Sequence, residues 1–136
     1  MNERVLIDSS ALIAYFIKQE KHHQIIREFI DENPDMEWVI VSTVFSELVT
    51  WLRDRTNSTQ TTSIGEFLKR SCTYIVLSEI QDENTWNNFK KFSDKDWSYT
   101  DCSLLTLSLS LNIPFILTLD HHFNQMKKMG VIPLPG

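Results

Sequence analysis

Four short apolar runs, VLI (5–7), WVIVS (38–42), TYIVL (73–77) and FILTL (115–119), are spaced along the chain. Each is apolar at successive rather than alternate positions, as in a strand buried on both faces. The intervals between them are too long for hairpins, and apolar residues recur within them at helical spacing. Strands joined in this way run parallel, with helices packed on both faces of the sheet. A further run, VIPL (131–134), predicts an edge strand, because its Pro133 cannot donate to an interior ladder. A length of 136 residues suits one core, so residues 1–136 are expected to form a single α/β domain.

The helices are read from their stripes. Ser9 or Ser10 can cap a helix from Ala11 to about Lys18, and Ile25, Ile26, Phe29 and Ile30 form a stripe that ends at Asn33-Pro34. Val44, Phe45, Leu48, Val49 and Leu52 recur at helical spacing through Arg55. The polar TNSTQTTS (56–63) reads as a linker that merges into a helix holding Ile64, Phe67 and Leu68. Trp86, Phe89 and Phe92 mark another helix. Ser98 opens a leucine-rich one, and Phe123 and Met126 lie on a short one closed by Gly130.

An aspartate, Asp8, stands immediately after the first strand, inside the apolar stretch VLIDSSALIAYF. Asp120 stands immediately after the fourth. Open parallel sheets bind ligands beyond the carboxyl ends of their strands, so both aspartates face the edge where ligands bind. Glu47 falls early in the helix after the second strand, at the margin of its apolar stripe. Asp101 falls in the first turn of the helix that returns to the fourth strand, and hence at the same edge.

Each acid has a local explanation as well. Asp8 and Asp120 suit helix N-caps, Ser98-Tyr99-Thr100-Asp101 fits a capping box, and Glu47 suits an amphipathic margin. None of these explains why four acids from four segments gather at one edge. Clustered carboxylates repel unless cations or protons neutralise them. Oxygen donors favour Mg²⁺ or Mn²⁺, and such a site suits phosphodiester cleavage.

The remaining features narrow the field. With 13 Lys and Arg against 18 Asp and Glu, the net charge of −5 excludes a nucleic-acid coat protein built on clustered basic residues. Arg53, Arg55, Lys69, Arg70, Lys90, Lys91 and Lys95 are candidate phosphate contacts. Cys72 and Cys102 read as reduced thiols, and with no signal peptide or membrane span in evidence the protein is expected in the cytoplasm. His121 and His122 follow Asp120, but consecutive helical residues do not share a face, and the pair is set aside as a metal motif. His22 and His23 read as solvated. A receiver domain phosphorylated on aspartate would need paired acids after the first strand and a lysine after the fourth. The chain has neither.

Taken together, LIDSSALIAYF, SELVTWL, WSYTDCSLL and ILTLDHHF resemble the PIN-domain family of metal-dependent ribonucleases, and in size the VapC-type toxins of toxin–antitoxin pairs. The resemblance spans essentially the whole chain. It implies a three-layer α/β/α sandwich with a five-stranded parallel sheet, and it maps the family's acids onto Asp8, Glu47, Asp101 and Asp120. Hydroxyl residues that support them fall on Ser10 and Thr118. It further implies Mg²⁺ or Mn²⁺, cleavage of single-stranded or structured RNA, a homodimer, and a small antitoxin that blocks the site. The first motif reads Asp-Ser-Ser where Asp-Thr-Ser or Asp-Thr-Asp is more usual. A PIN-like module that binds RNA or protein without cleaving is the alternative.

Overall fold

A computed structural model describes residues 3–136. Five strands, β1 (Arg4–Ile7), β2 (Glu37–Val41), β3 (Thr73–Ile75), β4 (Phe115–Leu117) and β5 (Ile132–Leu134), form one sheet. They lie in the order β3-β2-β1-β4-β5 and every pairing is parallel. Six α-helices connect them: α1 (Ser9–Phe16), α2 (His23–Asp31), α3 (Ser42–Arg55), α4 (Ser58–Ser71), α5 (Glu79–Lys91) and α6 (Tyr99–Ser110). A 3₁₀ segment, His121–Met129, joins β4 to β5.

The chain builds outward from β1 to β3, then returns to the other side of β1 for β4 and β5. Right-handed crossovers therefore place α1–α4 on one face and α5–α6 on the other, which yields the expected α/β/α sandwich. The reversal of strand order at β1 and β4 makes a crevice beyond their carboxyl ends. As the central strand, β1 has Val5, Leu6 and Ile7 fully buried. Helix α6 is also buried almost all round, from Thr100 to Ser108, and the side chains of Asp101, Ser103 and Thr106 are hydrogen-bonded within the protein. Ser103 Oγ donates to Thr100 O at 2.6 Å and bonds Thr43 Oγ1 at 2.7 Å, which ties α6 to the start of α3. Among the described residues no helix is long and apolar enough to cross a membrane.

Several boundaries differ from the sequence reading. Helix α1 starts at Ser9 rather than Ala11, with Asp8 at the N-cap but making no side-chain cap bond. The polar stretch expected as a linker is helical from Ser58, because Asn57 Oδ1 accepts the Gln60 N–H at 2.7 Å and caps α4. β3 stops at Ile75 and β4 at Leu117, each shorter than its apolar run. The last helical segment is 3₁₀ and closes at Gly130, whose φ of 98° suits a residue without Cβ. Pro133 sits in β5, an edge strand as expected.

Candidate active site at the carboxyl edge of the sheet

The register of β1 on β4 pairs Ile7 with Leu117, which leaves Asp8 beside Thr118 where the strands end. Asp8 Oδ2 accepts hydrogen bonds from Ser10 Oγ at 2.8 Å and Thr118 Oγ1 at 2.9 Å. The direction of both bonds is fixed from behind. The Leu119 N–H donates to Ser10 Oγ at 3.0 Å, and the Asp120 N–H donates to Thr118 Oγ1 at 2.9 Å. Each hydroxyl therefore accepts from the backbone and turns its own proton onto Asp8. Burial nonetheless pushes the Asp8 carboxyl up from 3.8 to about 6; the two hydroxyls oppose that rise and the charge on Asp101 adds to it.

Asp101 is buried at the third position of α6. Its N–H donates to Ser98 Oγ and its Oδ2 accepts the Ser98 N–H, each at 3.0 Å, so the capping box exists as expected. The same oxygen lies 3.2 Å from His122 Nδ1. Burial raises the Asp101 pKa and the Asp120 charge adds to the rise, while the Ser98 N–H and His122 hold it down. Capping and clustering are thus compatible: the cap locks the carboxylate that faces the crevice.

Asp120 caps the 3₁₀ segment, its Oδ1 accepting the His122 N–H at 2.9 Å. Glu47 is exposed on α3 and accepts from Ser9 Oγ at 2.8 Å, which draws it toward the start of α1 beside Asp8. Donor atoms of Asp101, Asp120 and His122 all lie within 4.8 Å of one another. The tight group is therefore these three, with Asp8 joined through Thr118 and Glu47 reaching in from the rim.

His122 is the residue that sequence reasoning set aside. In a regular α-helix residues one and two apart point away from each other. Instead Asp120 folds the chain through a turn closed by its own carboxylate, and residue i+2 comes back over that carboxylate. An Asp directly after a strand, followed two residues on by His, is the signal that would have found it. His121, by contrast, is largely exposed, 4.0 Å from Asp120 Oδ1. His23 is not merely solvated, since its Nδ1 bonds Ala14 O at 2.7 Å.

The candidate cations stand apart from the acids. Among the described residues no lysine or arginine pairs with Asp8, Glu47, Asp101 or Asp120; the ion pairs formed are Arg4–Glu37, Arg27–Asp31, Lys95–Asp94 and those of His121 and His122. Arg53 and Arg55 lie about 9 and 12 Å farther along α3 than Glu47 at the helical rise per residue, and Arg55 covers the Trp51 ring. Lys69 lies over Phe45 and Tyr74. Asp96 is exposed in the turn before Trp97. A set of carboxylates with one imidazole and no basic partner fits a divalent cation, which offsets the repulsion that side chains leave uncompensated.

No curated protein is significantly similar to the chain in sequence. Several solved structures share its fold. VapC20 of Mycobacterium tuberculosis, described as a sarcin–ricin loop cleaving toxin, superposes with a TM-score of 0.83 at 14% identity, covering 94% of this chain and 96% of that one. VapBC2 of Rickettsia felis, bound to a promoter DNA fragment, gives 0.70 at 14% identity with 96% of each chain covered. VapBC-1 of nontypeable Haemophilus influenzae gives 0.66 at 17% identity, again with 96% of each covered. The sequence profile of the PIN domain matches residues 5–129, a span that runs from the central strand past the last of the four acids, and the chain therefore belongs to the PIN domain family.

Proposed function

We propose that the protein is an endoribonuclease that hydrolyses RNA phosphodiester bonds with Mg²⁺ or Mn²⁺ held by Asp8, Glu47, Asp101 and Asp120. The observation that carries this reading is the group of acids at the carboxyl edge, which no lysine or arginine among the described residues pairs. The bound cation supplies an activated water and steadies charge on the leaving oxygen. The chain's own residues do the positioning. Ser10 and Thr118 aim Asp8 and favour its charged form. The Ser98 cap holds Asp101, and the turn at His122 holds Asp120. Ser9 draws Glu47 in from the exposed rim.

The toxin reading rests on fold analogy. The similar structures include a toxin described as cleaving the sarcin–ricin loop and VapBC assemblies. On that analogy the protein is a homodimer in the cytoplasm, held in check by a small antitoxin. An antitoxin arginine suits the acids, because its fixed fork pairs carboxylates bidentately.

The test is cleavage of single-stranded RNA by purified protein with Mg²⁺ or Mn²⁺. Cleavage should stop in EDTA and be absent from Asp8→Asn. EDTA-resistant cleavage, or full activity in Asp8→Asn, overturns the proposal.

A further inference from the structure

We infer that His122 is a direct ligand of the divalent cation, so that the site is a mixed carboxylate–imidazole centre that favours Mn²⁺ over Mg²⁺. The inference rests on the metal-dependent reading above and deepens it. His122 Nδ1 lies 3.2 Å from Asp101 Oδ2 and 3.4 Å from Asp120 Oδ1. Neighbouring ligand atoms around an octahedral ion with bonds of about 2.1 Å stand about 3.0 Å apart. Both separations from His122 Nδ1 are therefore close to the edge of such a shell, and ligand atoms of the three residues all lie within 4.8 Å of one another.

The ring is also held in place. The His122 N–H is anchored on Asp120 Oδ1 at 2.9 Å, which fixes the backbone that carries the imidazole. The side chain is 23% exposed, so the ring is largely packed yet reachable from solvent. Asp101 Oδ2 and Asp120 Oδ1 each accept one backbone N–H, and a carboxylate oxygen retains a further lone pair beyond that. As a ligand, His122 offers the Nδ1 lone pair and carries its proton on Nε2. Among the described residues His122 is the one histidine in the group. Imidazole is a softer donor than carboxylate and adds less to Mg²⁺ binding than to binding of first-row transition ions.

The experiment is pulsed electron paramagnetic resonance of Mn²⁺ bound to the full chain, with and without ¹⁵N-labelled histidine. Wild type should show nuclear modulation from a coordinated nitrogen that changes on ¹⁵N labelling. His122→Ala should lose it and His121→Ala should keep it. Calorimetric titrations should show Mn²⁺ binding weakened about tenfold or more in His122→Ala, with Mg²⁺ binding much less affected. Bound Mn²⁺ without histidine nitrogen coupling overturns the inference and leaves the metal-dependent reading intact. Failure of wild type to bind Mn²⁺ at all overturns both. A His122→Ala protein with wild-type coupling and an unchanged Mn²⁺ to Mg²⁺ preference also overturns it.

Discussion

Asp8 is the acid whose electrostatic cost is most directly measurable. In the ion-free protein its pKa is raised from 3.8 to about 6, chiefly by burial. The fold therefore favours the protonated form. The associated stability is fully present below pH 3.8 and is lost as pH rises through about 6, after which the loss is constant. A rise of this size corresponds to about 3 kcal/mol at pH 7.5, and to less than about 1 kcal/mol at pH 4. Asp8→Asn removes the charge and keeps the shape, and its amide oxygen still accepts from Ser10 and Thr118. In EDTA at pH 7.5 the variant should be more stable than wild type by up to about 3 kcal/mol, a rise in Tm of about 10 °C for a chain of this length. The assay is urea unfolding of both proteins in EDTA from pH 4 to 8. A variant less stable than wild type at pH 7.5, or a gain that does not shrink toward pH 4, would refute the reasoning.

Three further outcomes follow from the same geometry. Thr118→Val strips the Asp120 N–H of its acceptor and Asp8 of a donor. It should cost about 1–3 kcal/mol in urea unfolding and reduce cleavage. Glu47→Gln should lower cleavage while leaving the urea midpoint nearly unchanged, because Glu47 is exposed and its contact with Ser9 survives as a neutral hydrogen bond; a large drop in midpoint would show a structural role instead. Expression of the wild-type chain should slow growth, co-expression of the gene adjacent on the chromosome should restore it, and Asp101→Asn should be harmless. Unimpaired growth with abundant soluble protein would remove the toxin reading and leave the nuclease chemistry standing.

How much was legible depended on whether a residue's role follows from local spacing. β1 and β2 were clear because central strands are apolar on both faces. The ends of β3 and β4 were not. Val76 is apolar yet 67% exposed, and Thr118, though β-branched and still donating its N–H to Leu134 O at 3.0 Å, lies past the last residue of β4 and turns its hydroxyl onto Asp8. The start of α4 was obscured because its polar residues bond back to the helix. Thr61 is buried with its hydroxyl on Asn57 O at 2.8 Å, a contact that composition does not reveal. Asp8, Asp120 and Asp101 could be placed because strand ends and a capping box locate them without tertiary detail, and Glu47 because the stripe of α3 puts it at the helix margin. His122 could not, since its position depends on a turn that departs from α-helical geometry.

The polarised pair of hydroxyls has a consequence for the order in which the protein acquires its chemistry. Thr118 and the amides of Leu119 and Asp120 are made about 110 residues after Asp8 and Ser10. Until β4 has been synthesised and has docked on β1, Asp8 has no neighbour on that side and neither hydroxyl has its direction set. Closing so long a loop is among the slower kinds of folding step. A ribosome-bound chain that stops short of Thr118 therefore lacks the polarised pair, which exists only once β4 has docked on β1.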